Sequence, residues 1–422
     1  MSNSKKAQSV VIIICYYGKT PWYFPFFIKS CRYNPDVSFL LVTDMRFDFD
    51  CPSNLIVLRK SIPEFRELAR IKLGFVVNEL NDPFKFNDFK PAYGAIFHDL
   101  IESYDFWGYG DIDLIYGDIR SFITDTMLRT YNVIAVRSDF VTGYFSLISN
   151  SEQGRNLFTQ SRDFKRILTE SVYYGFDECN WNWGKLSNGE SIFEINSDIQ
   201  CMTYVVKKLS NEKVIKAYFG KIALEGMPGD LEWNRGRLTH RFSHAILLYH
   251  FIEFKNRPFK FIPSWKKIPD HFFIEEFYIT KLNPRSVRGK LLKSALSAIQ
   301  ILVVLVKSVR ELLTWTMQFM SATRKIRNIE FAEICKLTGS YRWENEFIVD
   351  VVYEGNSLFV ESEDNFICYL LQKKKLTFVP GKYFTHSVFT NANVEFFINK
   401  DSQNYEMYIR PRVGRSIIMT RV

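Results

Sequence analysis

Strand-like and helix-like segments alternate along the first 150 residues of this 422-residue chain. Strand patterns at 10–15, 38–43 and 55–59 are interleaved with a helical pattern at 21–32 and a helix that begins with the capping box Ser61-Ile-Pro-Glu64 and runs toward Asn78. This alternation predicts a mainly parallel sheet with helices on its faces and a ligand site at the carboxyl ends of the strands. We therefore expect a mixed α/β domain.

Two aspartates, Asp111 and Asp113, follow the apolar run Phe106-Trp-Gly-Tyr-Gly110. In an extended chain their side chains point to one side, while Ile112 points back into the core. Two hard oxygen donors can hold a divalent cation, and a cation with open coordination positions can neutralise a departing diphosphate. This is the chemistry of sugar transfer from a nucleotide; a solvated turn is the alternative interpretation.

A second Asp-x-Asp pattern, Asp48-Phe-Asp50, is an internal control for the first. The turn-rich stretch Cys51-Pro-Ser-Asn54 follows it, and it lacks the flanking glycines and the preceding aromatic pair. We therefore interpret this second copy as a loop without a cation.

His250 is the strongest candidate among six histidines for a third metal ligand. It ends the apolar run 245–249, and a strand there would deliver both this imidazole and Lys255 into one site. An imidazole with two carboxylates favours manganese over calcium, with magnesium as a further candidate, and Lys255 is expected to contact the diphosphate. A satisfied core histidine is the alternative interpretation.

At these residues the chain resembles metal-dependent glycosyltransferases of the Rossmann-like GT-A fold. His250-Phe, Lys255 and Pro258-Phe259 are similar to the His-Phe…Lys-Pro-Trp ending of glycogenin-like and lipopolysaccharide glycosyltransferases. Lys90-Pro-Ala-Tyr93 and the segment 105–118 resemble bacterial capsule and O-antigen transferases, some of which handle galactofuranose. The resemblance covers about residues 8–265 and implies a UDP-sugar donor.

The same resemblance implies which residues surround the donor. Tyr16, Tyr17 and Asp44 would border the uridine, Lys72 and Lys90 would be neighbours of its phosphates or ribose, and Asp111 would contact the donor as well as the metal. Ordinary solvated surface is the alternative for the two lysines.

Three carboxylates, Asp177, Glu178 and Asp198, are candidates for the base that deprotonates the acceptor hydroxyl. An inverting enzyme needs such a base, whereas a retaining enzyme needs only a group positioned near the sugar. We favour Glu178, followed by Asp177, because the neighbouring Trp181 and Trp183 are suited to stacking on an acceptor sugar. Ordinary surface carboxylates are the alternative.

Most of the net positive charge of the chain lies in one segment after the first domain. The net charge is +9, and residues 281–330 contain ten Lys and Arg against two Glu. The uncharged run at 294–306 is shorter than the roughly 20 residues of a spanning helix. We therefore predict that the segment 281–327 lies on a membrane surface or packs on another subunit of a homo-oligomer. A uniformly basic surface, as expected for nucleic-acid binding, is not indicated.

The predicted domains are a GT-A domain at 1–270, the basic helical segment at 281–327, and a small antiparallel β domain at 328–422. The first domain divides into a nucleotide half at 1–150 and an acceptor half at 151–270. Seven scattered cysteines without a Cys-x-x-Cys pattern argue against disulfides and a cysteine zinc site. With an N-terminus that leads directly into a strand, without a cleavage site, they favour the cytoplasm.

The sequence thus predicts a glycosyltransferase at the inner face of the bacterial cytoplasmic membrane. With Mn²⁺ or Mg²⁺, it would move a sugar from a UDP donor to a lipid-linked glycan during surface polysaccharide synthesis. The rival hypothesis is a non-catalytic glycan-binding or assembly scaffold with a degenerate transferase domain. A nucleotidyltransferase is disfavoured, because Cys15-Tyr-Tyr-Gly-Lys19 is a poor match to a phosphate loop.

Overall fold

The computed structural model describes two compact units, Met1–Lys293 and Ser294–Val422. The described residues are 6–78, 80–220, 222–226, 229–241, 244–257, 259–301 and 303, together with the eight strands of the second unit given below.

Fifteen strands are described in the first unit: β1 (Val10–Tyr16), β2 (Ser38–Thr43), β3 (Leu55–Arg59), β4 (Phe106–Gly110), β5 (Leu114–Tyr116), β6 (Val133–Ala135), β7 (Phe145–Ser149), β8 (Ala217–Phe219), β9 (Ala223–Leu224), β10 (Leu231–Asn234), β11 (Arg237–His240), β12 (His244–Ala245), β13 (Leu248–His250), β14 (His271–Ile274) and β15 (Ile279–Thr280). Its α-helices are α1 (Phe24–Arg32), α2 (Ile62–Leu73), α3 (Lys85–Phe89), α4 (Tyr93–Ile96), α5 (His98–Ile101), α6 (Ile119–Phe122), α7 (Asp125–Thr130), α8 (Glu152–Arg155), α9 (Phe164–Thr169), α10 (Trp183–Ser187), α11 (Met202–Asn211) and α12 (Ile252–Asn256). Short 3₁₀ turns occupy Lys90–Ala92 and Leu157–Gln160.

The central sheet has seven strands in the order β3-β2-β1-β4-β7-β6-β8. The pairs β3/β2, β2/β1, β1/β4 and β6/β8 are parallel, and β7 runs antiparallel to both β4 and β6. The expectation of a mixed α/β domain with a mainly parallel sheet is therefore confirmed.

The continuous apolar run of β1 follows from burial of both faces of this sheet. Val10, Ile12 and Ile14 point into one core, and Val11 and Ile13 point into the other. A strand that is covered on both faces needs apolar side chains at successive positions, so it does not show the alternation of a half-exposed strand.

Helix α2 begins as its capping box predicts and ends earlier than the apolar pattern suggests. Ser61 Oγ accepts the N–H of Glu64, while the Glu64 carboxylate accepts the N–H of Ser61 at 2.7 Å. Gly74 then adopts a left-handed conformation (φ 77°), which terminates the helix before Asn78.

Two small sheets complete the first unit. The sheet β5-β13-β9 pairs His250 with Leu114, the residue that follows Asp113. The antiparallel sheet β12-β11-β10-β14-β15 includes residues 271–280. Because β14 pairs with β10, the first unit extends past the predicted boundary at residue 270 and reaches Lys293.

Only part of the predicted basic helix is described. Residues 287–301 are helical, and residue 303 also has helical geometry. Residues 281–286 form bends and turns, so the helix begins later than predicted. Residues 302 and 304–327 of the prediction lie outside the described residues. In the described part of the chain, no helix has both the length and the apolar character needed to cross a membrane.

The second unit contains eight antiparallel strands that close into a barrel, since each pairs with the next and the last pairs with the first. They are β16 (Gly339–Trp343), β17 (Phe347–Glu354), β18 (Ser357–Glu361), β19 (Lys374–Val379), β20 (Tyr383–Thr385), β21 (Ala392–Ile398), β22 (Tyr405–Pro411) and β23 (Ile417–Arg421).

Candidate metal centre

The structure brings Asp111, Asp113 and His250 together. One ligand atom from each lies within 4.8 Å of the others. Asp111 directly follows β4, and the pairing of β5 with β13 carries His250 to Asp113, whose carbonyl oxygen accepts the N–H of Phe251 at 2.9 Å. Two carboxylates and an imidazole are a donor set that suits Mn²⁺ and can also hold Mg²⁺.

A second carboxylate fixes the orientation of His250. Its Nδ1 lies 3.1 Å from Glu225 Oε1, and its Nε2 lies 3.3 Å from Asp113 Oδ2. Nδ1 is thus engaged by Glu225, while Nε2 faces the carboxylate of Asp113. Histidines that bind metals are oriented in the same way, by a hydrogen bond to the nitrogen that does not bind the metal. The ring also packs against Tyr144, with centroids 4.7 Å apart.

The charges around His250 and Asp113 favour the ionised form of each. Burial alone would lower the pKa of His250, but the negative charge of Asp113 and the hydrogen bonds to Asp113 and Glu225 raise it to about 10. Burial alone would raise the pKa of Asp113, but His250 and Lys255 hold it below its ordinary value. A cation bound at Nε2 must therefore displace a proton.

Two lysines neutralise the carboxylates of this cluster. Lys90 Nζ lies 2.5 Å from Asp111 Oδ1 and donates to the carbonyl oxygen of Gly143 at 2.9 Å. Lys255 Nζ lies 2.6 Å from Asp113 Oδ2. Burial would lower the pKa of Lys90, but the charges of Asp111 and Asp177 raise it above its ordinary value.

The prediction that a strand carries both His250 and Lys255 is wrong for the lysine. Strand β13 ends at His250, and Lys255 lies on α12, where its N–H donates to the carbonyl oxygen of Phe251 at 2.7 Å. The helical turn shortens the distance between the two residues, so both side chains reach Asp113.

Asp177 and Glu178 adjoin the same cluster through Lys90. Asp177 is buried, and its Oδ2 lies 3.6 Å from Lys90 Nζ. Glu178 Oε1 accepts the N–H of Gly143 at 2.8 Å. Burial raises the pKa of both carboxyl groups, against the opposing effect of Lys90 on each. A raised pKa makes the ionised form of each a stronger base.

Gly143 is required by the close packing of this loop. A Cβ atom there would lie 2.0 Å from Asp177 Oδ2 and 2.8 Å from its Cγ. A larger residue would therefore displace the buried carboxylate and disturb its contact with Lys90.

Tyr16 and Tyr17, predicted together, lie in different surroundings. Lys255 and Asp113 are close enough to influence the pKa of Tyr16, which burial raises. Tyr17 instead packs on Phe86, with ring centroids 4.6 Å apart. Successive residues of an extended segment point to opposite faces, so the structure brings only Tyr16 to the cluster.

Lys72 and Asp198 do not reach the cluster among the described contacts. Lys72 lies near the end of α2 and pairs with Asp99 at 2.6 Å. Asp198 is exposed, and its carbonyl oxygen accepts a hydrogen bond from Arg166 at 2.8 Å. Lys72 is on a helix surface and Asp198 is in a surface loop, so their predicted roles stay predictions.

Asp44 lies at a cleft next to the carboxyl ends of β2 and β3. The cleft has a volume of about 560 Å³, and its lining includes Asp44, Arg46, Phe47, Arg59 and Lys60. Asp44 Oδ1 accepts the N–H of Gly18 at 2.9 Å, and the Arg59 guanidinium lies 4.6 Å from the Phe47 ring centroid. The cleft therefore combines cations with an aromatic face.

Sequence reasoning missed Glu225 and Arg137. Glu225 contacts His250, and Arg137 in turn contacts Glu225. Arg137 makes a two-pronged contact with Asp139 at 2.9 and 2.6 Å and lies 3.3 Å from Glu225 Oε2. No motif surrounds Glu225, and 25 residues separate it from His250. Its only sequence signal is that it is a carboxylate shortly before the strand that carries His250.

A model of a protein family matches residues 12–283, and it is described as a family of unknown function (DUF6625). No curated protein matches the chain. Among solved structures, the chain is similar to the apo-form glycosyltransferase GlyE of Streptococcus pneumoniae TIGR4, with 14% identity and a TM-score of 0.25. The match covers 50% of this chain and 45% of that one, and a likeness this low carries no argument about fold or function.

Proposed function

The chain belongs to the DUF6625 family, whose function is unknown, and we propose that it is a metal-dependent glycosyltransferase that moves a sugar from a UDP-sugar donor to a glycan. The observation that carries this proposal is the meeting of Asp111, Asp113 and His250 within 4.8 Å, beside the end of a central strand. The carboxyl ends of such strands are where α/β sheets bind ligands.

The three residues would hold Mn²⁺ or Mg²⁺, which supplies a Lewis acid for the departing diphosphate. Glu225 keeps the Nε2 atom of His250 directed at Asp113. Lys255 and Lys90 already lie at the two carboxylates, so their ammonium groups can turn to phosphate oxygens when the carboxylates bind a cation. The cluster is thereby equipped for both a cation and an anion.

We place the uridine on the side of the sheet edge where Tyr16 and Asp44 lie. The cleft beside Asp44 has room for a nucleoside, and its lining includes Phe47 with the Arg59 guanidinium over the ring. Arg46 and Arg59 add positive charge that favours a phosphorylated ligand.

Glu178 and Asp177 are the proposed bases for the acceptor hydroxyl. Both adjoin Lys90, which contacts Asp111, so the acceptor side of the site connects to the metal side through one lysine. Lys90 would hold these carboxylates in place while a proton moves to one of them.

The acceptor and the location of the protein are further parts of the proposal. The helical residues 287–301 expose Val287, Leu291 and Ile301 beside basic side chains, which suits an anionic membrane surface and a lipid-linked acceptor. The described cysteines, Cys15, Cys31, Cys51, Cys179 and Cys201, are free thiols, which suits the cytoplasm. Synthesis of capsule or O-antigen, with galactofuranose as one candidate sugar, is supported by the sequence resemblance.

The experiment is to measure UDP release from a panel of UDP-sugars with and without Mn²⁺, in wild type, Asp113→Ala and His250→Ala. We expect manganese-dependent release that each substitution lowers by at least about 100-fold. Asp48→Ala is the matched control, because Asp48 is an exposed aspartate of the other Asp-x-Asp pattern.

Wild-type behaviour is expected for the Asp48 variant. If no UDP-sugar binds, and the three variants are folded and indistinguishable from wild type, the transferase proposal is wrong. The non-catalytic scaffold would then be the better hypothesis.

A further inference from the structure

Three aromatic side chains form an open corner beside Asp177; we call Tyr173, Trp181 and Trp183 the aromatic corner. Trp181 is 48% exposed and Trp183 is 44% exposed. Their ring planes meet at 87° with centroids 6.0 Å apart, and Tyr173 meets Trp181 at 82° and 4.9 Å. Large aromatic faces that are left open to solvent in one place are typical of binding surfaces.

The backbone holds Trp181 outward in an unfavourable conformation. Asn180 and Trp181 have φ values of 50° and 64°, in the left-handed region that residues with a Cβ rarely adopt. The Asn180 side chain is buried, donates to the carbonyl oxygen of Tyr174 at 2.8 Å and accepts the hydroxyl of Ser197 at 2.6 Å. Strain that surrounding contacts maintain in this way is concentrated at functional sites.

Buried polar groups lie directly behind the aromatic corner. The Tyr173 hydroxyl is 3.5 Å from Asp177 Oδ1, and Asp177 is 3.6 Å from Lys90 Nζ. A chain of contacts therefore runs from the exposed indole of Trp181 through Tyr173 to the carboxylates and Lys90.

The open indole faces of Trp181 and Trp183 match the apolar face of a sugar ring. The C–H groups of one sugar face pack on the electron-rich face of an indole. The hydroxyl groups of the ring can keep their contact with water at this corner, because both indoles are about half exposed.

We propose that the aromatic corner binds a sugar ring of a glycan, with Trp181 as the main stacking surface and Trp183 as the side wall. That this glycan is the acceptor rests on the proposed transferase function, but binding itself does not depend on metal or nucleotide. The aromatic corner would place the bound ring beside Tyr173, whose hydroxyl contacts the buried Asp177.

The test is saturation-transfer NMR on the full chain with methyl β-glucopyranoside, methyl β-galactopyranoside and lactose, without metal or nucleotide. We expect transfer to the C–H protons of one ring face in at least one of these saccharides. Trp181→Ala should weaken that binding by about tenfold, whereas Trp181→Phe should retain most of it. Phe193→Ala is the control, because Phe193 is an exposed aromatic (43%) that packs on Tyr204.

Absence of transfer to all three saccharides in wild type would overturn the proposal. Equal loss in the Trp181→Ala and Phe193→Ala variants would also overturn it. Saccharide binding without turnover of any UDP-sugar would keep the aromatic corner and remove the transferase. UDP-sugar turnover without saccharide transfer would remove the aromatic corner alone.

Discussion

Two groups of buried lysine and aspartate lie in the first unit, and their partners differ. Lys85 and Asp88 are both fully buried on α3, with Nζ and Oδ2 2.8 Å apart. Backbone groups complete this pair: Lys85 donates to the carbonyl oxygen of Val172 at 2.6 Å, and Asp88 accepts the N–H groups of Tyr174 and Phe176 at 3.0 and 2.9 Å. The pair thereby anchors the loop that leads to Asp177.

The second group is the candidate metal centre, where most partners are other charged side chains. Lys90 pairs with Asp111, and Lys255 pairs with Asp113 across 142 residues of sequence. The Asp111 side chain remains 30% exposed. A cation can therefore replace an ammonium group here without breaking a backbone hydrogen bond of either carboxylate.

Lysine and aspartate thus serve two different purposes in the first unit. In one use, backbone groups satisfy the remaining hydrogen-bond donors and acceptors of a buried ion pair. Such a pair holds chain segments together, and a ligand has no access to it. A pair whose members contact other charged side chains at an open edge can exchange those partners for substrate or metal.

The largest expected effect is on folding, at Asp88. Asp88→Ala leaves Lys85 buried without its counter-charge and removes two backbone anchors, so we expect a loss of about 3–5 kcal/mol in free energy of unfolding. Urea unfolding of wild type and variant measures it. Asp99→Ala is the control, because its pair with Lys72 is exposed and solvent-screened, so the free energy of unfolding should change little. Equal losses in both variants would contradict the structural role of Lys85–Asp88.

The next expected effect is a pH dependence of the free energy of unfolding, which arises from His250. Its pKa is about 10 in the folded, metal-free protein and near the ordinary value of 6.5 when unfolded. The imidazolium therefore stabilises the fold fully below pH 6.5, and this contribution is lost as the pH rises towards 10.

The difference in free energy of unfolding between wild type and His250→Gln, without metal, should decline over that interval by an amount on the order of 3 kcal/mol. Subtracting the variant removes the titration of other groups. A difference that does not vary with pH would show that Asp113 and Glu225 do not hold the proton.

A smaller effect is expected from Glu225, which in the described part of the chain contacts the candidate metal centre through His250. Glu225→Gln should weaken Mn²⁺ binding by about 10- to 100-fold in calorimetry, since it loses the charge that orients the imidazole. Glu232→Gln is the matched control, because Glu232 contacts His271 at 2.7 Å outside this cluster. Equal affinities for Mn²⁺ in the Glu225 variant and wild type would place His250 outside the metal site.

The smallest expected effect is an increase in Mn²⁺ affinity, opposite to the decrease expected for Glu225→Gln. Lys255→Met removes a cation that competes for Asp113 Oδ2, so Mn²⁺ should bind about threefold to tenfold more tightly. Lys29→Met is the control, because Lys29 pairs with Asp270 and should leave Mn²⁺ affinity unchanged. Weaker Mn²⁺ binding by the Lys255 variant would mean that the lysine supports the cation site instead of competing with it.

Much of the sheet was predictable because its signals are local. The predicted strands at 38–43 and 55–59 match β2 and β3, and the capping box marks the start of α2. The end of α2 was missed because Gly74 competes with an apolar pattern that continues beyond it. Lys255 was assigned to a strand because five residues after His250 hold too little periodicity to distinguish a strand from a helical turn.

The candidate site divides in the same way. Its acidic motif was recognisable because Asp111 and Asp113 lie one residue apart at the end of an apolar strand, and the prediction of their proximity needed no long-range information. The resemblance implies Tyr17 and Lys72 as neighbours of the donor, and in the structure Tyr17 packs on Phe86 while Lys72 pairs with Asp99. Their predicted contacts with the donor stay predictions.

The α/β class, the strand ends that present polar groups and the acidic pair can be read from the sequence, because they depend on side-chain period and turn residues over a few positions. The orientation of His250 by Glu225 and the link of Asp111 to Asp177 through Lys90 appear first in the folded chain. These contacts join distant segments, and their geometry depends on how strands pair and loops pack.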